Sequence, residues 1–128
     1  MTEPTAPRRY VVLRHEGVPQ PHYDLMIETQ PGGPLSTWRL PVWPIRRKTS
    51  IEKLDDHRPA YLDYEGPISG DRGHVHRVES GTCLMSPQFG DPSVLDLKLK
   101  SPSRWFSRRL WLLAPPGHEW AIEPGKWL

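Results

Sequence analysis

The chain has 128 residues, including 16 prolines and one cysteine, and 17 Lys and Arg against 15 Asp and Glu leave a net charge of +2. This length suits a single domain that buries about two thirds of its unfolded surface, and the lone Cys83 excludes an internal disulfide and a cysteine-based zinc site. The charge excludes a uniformly basic nucleic-acid-binding protein, and without a signal-peptide pattern or a long apolar run we expect a cytoplasmic monomer with no membrane partner.

The prolines argue against long helices, because each removes a backbone donor and clashes with the preceding turn. Short β-branched and apolar runs instead predict seven strands, at residues 10–14, 22–28, 36–40, 51–54, 74–78, 94–100 and 108–113. Turn signals at residues 31–34, 69–73 and 87–92 separate several of them. We therefore expect an all-β fold, a compact single-domain antiparallel β-barrel with short or no helices. A flexible arm is expected over residues 1–9, the barrel over 10–114, and over 115–128 a tail that docks on the barrel or contacts a partner.

The second predicted strand has a strict alternation of polar and apolar side chains, which predicts that His22 and Asp24 project from one face, roughly 7 Å apart at the backbone. A Gly/Pro-containing turn before it would bring His15, at the end of the first strand, onto that face. Two imidazoles and one carboxylate with open positions favour a catalytic divalent-metal site, in a cavity where a cation offsets the cost of buried carboxylates. The alternative is a chance cluster of ordinary histidines, since the chain has six.

A second candidate segment, residues 55–66, sets His57 among acidic residues and two tyrosines. A cationic His57 would stabilise negative charge on a phosphate oxygen, and the hydroxyl of Tyr61 would add a hydrogen bond. The alternative is an acidic loop with a solvated histidine. His74 and His76 also share a strand face and predict either a second metal site or a solvent-facing pair.

Basic clusters at residues 8–9, 46–48, 98–100 and 104–109 allow two interpretations. If folding gathers them along one groove, each phosphate contact adds a salt-dependent increment to nucleic-acid binding. If they are scattered, they are ordinary solvated charges. The spacing alone favours neither.

The order of these motifs resembles the 3′-phosphoesterase domain of bacterial DNA ligase D, a family that includes free-standing proteins. The matching motifs are Tyr10-Val11-Val12 through His15, His22-Tyr23-Asp24, Ile27-Glu28, Ser36-Thr37-Trp38 with Pro41, Asp56-His57-x-Pro59-x-Tyr61, Tyr64-Glu65-Gly66, and residues 95–99 with Trp105 and 109–113. The resemblance implies a β-barrel phosphoesterase in DNA repair that heals DNA 3′ ends, by removing a terminal ribonucleoside and then the 3′-phosphate.

By position, the resemblance implies that His15, His22 and Asp24 are the metal ligands and that His57 and Tyr61 contact the phosphate and support catalysis. It implies Mn²⁺ as the cofactor, with Zn²⁺ or another divalent ion as alternatives. The implied partners are DNA 3′ ends in a primer-template and a ligase or polymerase of the same repair pathway.

Four positions depart from the family pattern: Leu13, Met26, Val42 and Thr49 stand where it has glutamine, arginine, lysine and arginine. The ligands are spared and the phosphate-binding groups are lost, so we expect the metal site to survive better than the family's activity. The arginines left to bind substrate are Arg14, Arg58 and Arg72, with Arg39 as a further candidate.

Three hypotheses follow. The chain is a divergent metal-dependent phosphoesterase, or it is a catalytically degenerate module that keeps the metal site and binds nucleic-acid ends or a repair protein. A third, weaker hypothesis is a metal-bearing barrel for an unrelated small molecule.

Overall fold

The computed structural model describes residues 6–88, 91–102 and 107–126 and confirms the all-β fold, as one antiparallel sheet that nearly closes into a barrel. The strands in these residues are β1 Arg8–Glu16, β2 His22–Glu28, β3 Leu35–Leu40, β4 Thr49–Ser50, β5 Glu52–His57, β6 Gly66–Pro67, β7 His74–Gln88, β8 Asp91–Lys100, β9 Ser107–Leu113 and β10 Ala121–Pro124. A short 3₁₀-helix, Pro59–Leu62, follows β5. Within the described ranges no helix has the length and apolarity needed to cross a membrane.

The closure of the barrel depends on one bent segment of chain. The strand order is β4-β10-β9-β8-β7-β1-β2-β3-β5, with β6 paired to β7. The two outermost strands, β4 and β5, are separated in sequence only by Ile51, whose N–H donates to the carbonyl of Trp120 at 3.1 Å. The same stretch of backbone therefore begins at one edge of the sheet and continues along the other.

The main core takes the inward-facing residues of most strands. In β1 and β2 the register pairs Tyr10 with Ile27 and Val12 with Leu25, and all four are buried. Removing such side chains from water stabilises the fold by roughly 1.5–3 kcal/mol each. The other buried members of this core are Trp38, Leu40, Ile45, Ile51, Cys83, Leu97, Leu99, Leu110, Leu112 and Ile122.

The outer face of β1 and β2 is also covered. The register pairs Val11 with Met26 and Leu13 with Asp24 on this face, and Leu62 of the 3₁₀-helix joins the apolar residues among them. The chain over residues 58–73, which we call the cover segment, thus lies against the barrel wall. The buried residues of this second cluster are Val11, Leu13, Met26, Leu35, Leu62 and Val75.

The seven predicted strands are present, but most have bounds that differ from the predicted ones. β7 runs to Gln88, ten residues beyond its predicted end. Within this strand, an added Cβ at Gly81 would lie 2.0 Å from the Lys100 carbonyl oxygen, so glycine permits the close approach of β8. β10 was not predicted, and it places part of the expected tail in the sheet. β1 begins at Arg8, within the expected arm; residues 1–5 of that arm, and Trp105, lie outside the described residues.

Two arginines of the predicted basic clusters form internal ion pairs. The Nε of Arg108 donates to Glu79 Oε1 at 3.0 Å, and the hydroxyl of Tyr10 donates to Glu79 Oε2 at 2.9 Å. The Nε of Arg109 donates to Asp96 Oδ1 at 2.7 Å. Asp96 and Glu79 are both buried, and both carboxylates have the partners that buried charges require.

The buried thiol of Cys83 makes stability dependent on pH. Burial raises its pKa to about 12, from 9.0 for an exposed thiol, so the unfolded chain loses this proton first as the pH rises. The stabilisation is full below about pH 9 and decreases towards pH 12, which corresponds to a loss of about 1 kcal/mol between about pH 8 and about pH 10. In urea unfolding, wild type should lose that much more than Cys83→Ala over this interval. Equal losses in the two proteins would contradict the prediction.

Candidate metal centre

The β1–β2 hairpin brings three potential ligands together. His15 and His22 are directly opposite each other in the antiparallel register, and Asp24 is two residues further along β2 on the same face. One ligand atom from each of the three residues lies within 4.8 Å of the other two. His22 and Asp24 are buried and His15 is half-buried. The expected convergence of these side chains is therefore present, on the outer face of the barrel wall.

Backbone carbonyls set the orientation of both imidazoles. His22 Nδ1 lies 2.9 Å from the carbonyl oxygen of Gln20, and His15 Nε2 lies 2.7 Å from that of Arg72. Because a carbonyl oxygen only accepts, both nitrogens carry a proton and donate it. In the neutral rings the remaining nitrogens, His22 Nε2 and His15 Nδ1, present lone pairs towards Asp24, at 3.5 and 3.9 Å from its oxygens.

Two atoms of this cluster lack hydrogen-bond partners among the described residues: His22 Nε2 and Asp24 Oδ1, both buried. Facing acceptors without a donor are costly, since buried polar groups require partners. Burial also raises the pKa of the Asp24 carboxyl, and the neighbouring histidines and Arg39 only partly offset that rise. A divalent cation would satisfy all three ligand atoms at once, and carbonyl-anchored imidazoles are the usual arrangement around such ions. The residues thus fit a divalent metal with two nitrogen ligands and one oxygen ligand.

Two depressions flank the cluster. The first, which we call the inner cleft, has a volume of about 110 Å³ and lies between the barrel wall and the cover segment. The second, the outer cleft, has a volume of about 490 Å³ and opens beside the β1–β2 turn. His15 and Arg72 line both clefts, while Asp24 lines the inner one and His22 the outer one. A molecule bound in either cleft would therefore contact the metal centre.

The predicted catalytic pair lines the inner cleft. His57 ends β5 and Tyr61 lies in the 3₁₀-helix, with their rings edge-to-face at a centroid distance of 5.7 Å. His57 Nδ1 is 2.9 Å from the carbonyl oxygen of Asp55 and donates to it, so Nε2 is the nitrogen available to a ligand. The structure thus brings His57 and Tyr61 to the same cleft as the metal cluster.

The candidate arginines separate into three groups. Arg14 pairs with Tyr23 on the opposite sheet face, where its Nε donates to Glu16 at 3.2 Å and its guanidinium lies 4.7 Å from the Tyr23 ring centroid. It therefore lines neither cleft, and its expected substrate-binding role stays a prediction. Arg72 lines both clefts, and Arg39, opposite Asp24 in the β2–β3 register, lines the outer cleft.

The third group is Arg58, which lines neither cleft. It lies instead at a separate pocket on the far side of Tyr61.

Other acids and histidines of the sequence pattern stay outside the cluster. Glu28, on the ligand face of β2, accepts from the backbone N–H groups of Arg9 and Gly32 at 2.6 and 2.9 Å. His74 and His76 are exposed, and of the described residues only His15, His22 and Asp24 form a group with metal-binding geometry. Within the described residues, His74 and His76 therefore do not form a second metal site.

The inner cleft has an apolar wall. Met26 is buried to 2% exposure and contributes its side chain to both the second apolar cluster and the cleft. Ile68 and Val75 extend this wall. A thioether offers no hydrogen-bond donor to an anion. Among the described residues, Arg39 and Arg72 bring guanidinium groups to the cleft margins beside the metal centre.

Comparisons with known proteins give no match: no protein-family model matches the chain, and a search of curated proteins finds none with significant similarity. The chemistry of the site is therefore inferred from its geometry.

Replacing one ligand oxygen by an amide separates metal binding from folding. In Asp24→Asn the new N–H group can donate to His22 Nε2, so the metal-free variant should be more stable than metal-free wild type. Mn²⁺ at about 100 times its dissociation constant should stabilise wild type by about 2.7 kcal/mol and leave Asp24→Asn unchanged in thermal unfolding. Asp71→Asn, in the outer cleft but outside the ligand set, should respond to metal as wild type does. An equal metal response in Asp24→Asn would contradict the ligand assignment.

The backbone contact at Gly73 should control metal affinity at a distance. Gly73 has φ +76°, and an added Cβ would lie 2.1 Å from the Glu16 carbonyl oxygen. Gly73→Ala should therefore displace the adjacent Arg72 carbonyl that orients His15 and weaken Mn²⁺ binding by roughly 10- to 100-fold. Gly70→Ala is the matched control, because its φ is also +76° but its nearest contact is a side-chain atom at 3.6 Å. Calorimetric titration measures both, and equal affinities would count against this role of Gly73.

Proposed function

We propose that the chain is a divalent-metal-dependent phosphoesterase that acts on the 3′ ends of nucleic acids, as the 3′-phosphoesterase domain of bacterial DNA ligase D does. The observation that carries the proposal is the convergence of His15, His22 and Asp24, with two unpartnered buried acceptor atoms, beside a cleft lined by His57 and Tyr61. Ligands of this type suit Mn²⁺ as well as Zn²⁺.

A bound divalent ion would polarise the phosphoryl oxygen and supply an activated water. The protein groups around it bind and orient the phosphate. His57, held through Nδ1 by the Asp55 carbonyl, presents Nε2 to a phosphate oxygen or to the leaving oxygen, and the Tyr61 hydroxyl adds a donor in the same cleft. Their edge-to-face contact restricts both rings and so pre-organises the donors.

Arg39 and Arg72 give the outer cleft a positive margin. Among the described residues, Arg39 forms a long ion pair with Glu52, 3.9 Å in an exposed pair, which costs little to exchange for a phosphate. The side chain of Arg72 donates from Nε to the Ser69 carbonyl at 2.6 Å, which holds the guanidinium near the entrance. These two side chains take the place of the arginine that the family has at position 26.

A second function, binding of nucleic-acid ends without turnover, is favoured by one observation. Met26 fills the cleft wall with an apolar side chain where the family has a charged donor. A metal centre without that donor still binds an anionic end through the cation and the marginal arginines. The two functions differ in phosphate release and not in end binding.

Phosphate release from a primer-template with a 3′-phosphate, measured in Mn²⁺, tests the proposal. Wild type should release inorganic phosphate, His22→Ala should abolish release, and His57→Ala should bind metal normally but turn over roughly 100- to 10,000-fold more slowly. His118→Ala is the matched control, because His118 is exposed in the turn before β10. No release by wild type with Mn²⁺, Zn²⁺, Mg²⁺ or Co²⁺ would refute the enzymatic function, and retained end binding would then support the second function.

A further inference from the structure

A second pocket adjoins the inner cleft on the far side of Tyr61. Its volume is about 300 Å³, and it lies between the 3₁₀-helix and the chain around β6. Tyr61 and Ile68 line both this pocket and the inner cleft, so a single wall two side chains wide separates it from the metal centre. We call it the tyrosine pocket.

Aromatic and apolar side chains dominate its walls. Tyr61 and Tyr64 are nearly perpendicular, with an interplanar angle of 87° and ring centroids 6.0 Å apart. The hydroxyl of Tyr64 donates to the Pro67 carbonyl, which fixes the ring at the rim although the residue is 38% exposed. An aromatic ring in this position presents a π-face on which a flat ligand can stack.

Arg58 supplies the positive charge of the tyrosine pocket. Its side chain is exposed, and its backbone carbonyl accepts from the Tyr61 N–H at 3.1 Å, which ties it to the start of the 3₁₀-helix. None of the ion pairs found among the described residues uses Arg58, so its guanidinium can stack on a base or pair with a backbone phosphate.

We propose that the tyrosine pocket is a nucleobase subsite that takes the unpaired 3′-terminal base while the terminal phosphate lies at the metal centre. The inference rests on the proposed function for the position of the phosphate. The outer cleft, lined by Arg39, Asp71 and Arg72, suits phosphate and sugar, whereas the tyrosine pocket offers ring faces and an aliphatic wall to a base. Its volume lies at the lower end of the range for small-molecule sites, roughly 300 to 1,000 Å³.

The geometry also limits the kind of end that binds. A base reaches the tyrosine pocket only after leaving the duplex stack, so frayed, mismatched or single-stranded ends bind better than paired ones. Stacking on aromatic rings accepts every base, because each base has a π-face. The subsite therefore recognises the unpaired state of the terminal nucleotide and not its sequence.

Binding of paired probes that undergo no turnover tests the subsite. Two primer-templates end in a 3′-methylenephosphonate, which keeps the anionic group at the metal centre but has a P–C bond that cannot be hydrolysed, and they are identical except that the unpaired terminal nucleotide carries a base in one and is abasic in the other. Fluorescence anisotropy in Mn²⁺ gives both dissociation constants. Wild type should bind the end with the base about tenfold or more tightly than the abasic end.

Three variants separate stacking from folding. Ala60→Trp fills the pocket from an exposed wall position and should abolish the preference for the base, as should Tyr64→Ala. Tyr64→Phe keeps the ring without its hydrogen bond and should retain the preference. Equal binding of both ends by wild type, no binding of either end, or an undiminished preference in Ala60→Trp would overturn the subsite.

Phosphate release tests the phosphoesterase activity separately from the subsite. A preference for the base without phosphate release would refute the enzymatic function and keep the subsite. Phosphate release without a preference would refute the subsite and keep the enzymatic function.

Discussion

The metal centre depends on the register of the β1–β2 hairpin. His15 opposes His22 only in this register, and a slip of one residue would move every side chain of one strand to the other face. The register is held by apolar contacts on both faces of the same two strands, Val12 with Leu25 inside the barrel and Val11 with Met26 outside it. A slip would expose both sets, so the residues that hold the barrel together also position the ligands.

The cover segment links folding to the chemistry of the site. Leu62 packs on the outer apolar cluster, and the neighbouring Tyr61 lines the inner cleft. At the other end of the segment, the Arg72 carbonyl orients His15, and Gly73 lies against the backbone of β1. The wall supplies the ligands and His57, and the cover supplies Tyr61 and Arg72 beside them. Loosening the cover would change the metal geometry and the substrate cleft together.

The sequence predicts those parts of the site that follow from local periodicity. The alternation in β2 gives its observed bounds, His22–Glu28, and the shared face of His22 and Asp24. The same period of two in β1 places Arg14 on the face opposite His15, and this signal is available in the sequence. The proximity of Arg39 to Asp24 depends on the β2–β3 register, and the carbonyl contact of Arg72 depends on how the cover segment docks. Neither is local, and backbone carbonyls are present at every residue, so composition and spacing do not reveal them.

Anomalous diffraction from crystals grown with Mn²⁺ tests the metal centre most directly. The expected result is a peak about 2.1 Å from His15 Nδ1, His22 Nε2 and an oxygen of Asp24, with the Gln20 and Arg72 carbonyls still accepting from the outer imidazole nitrogens. A peak elsewhere on the protein, or no peak at saturating Mn²⁺ with the three side chains hydrogen-bonded to water, would contradict it.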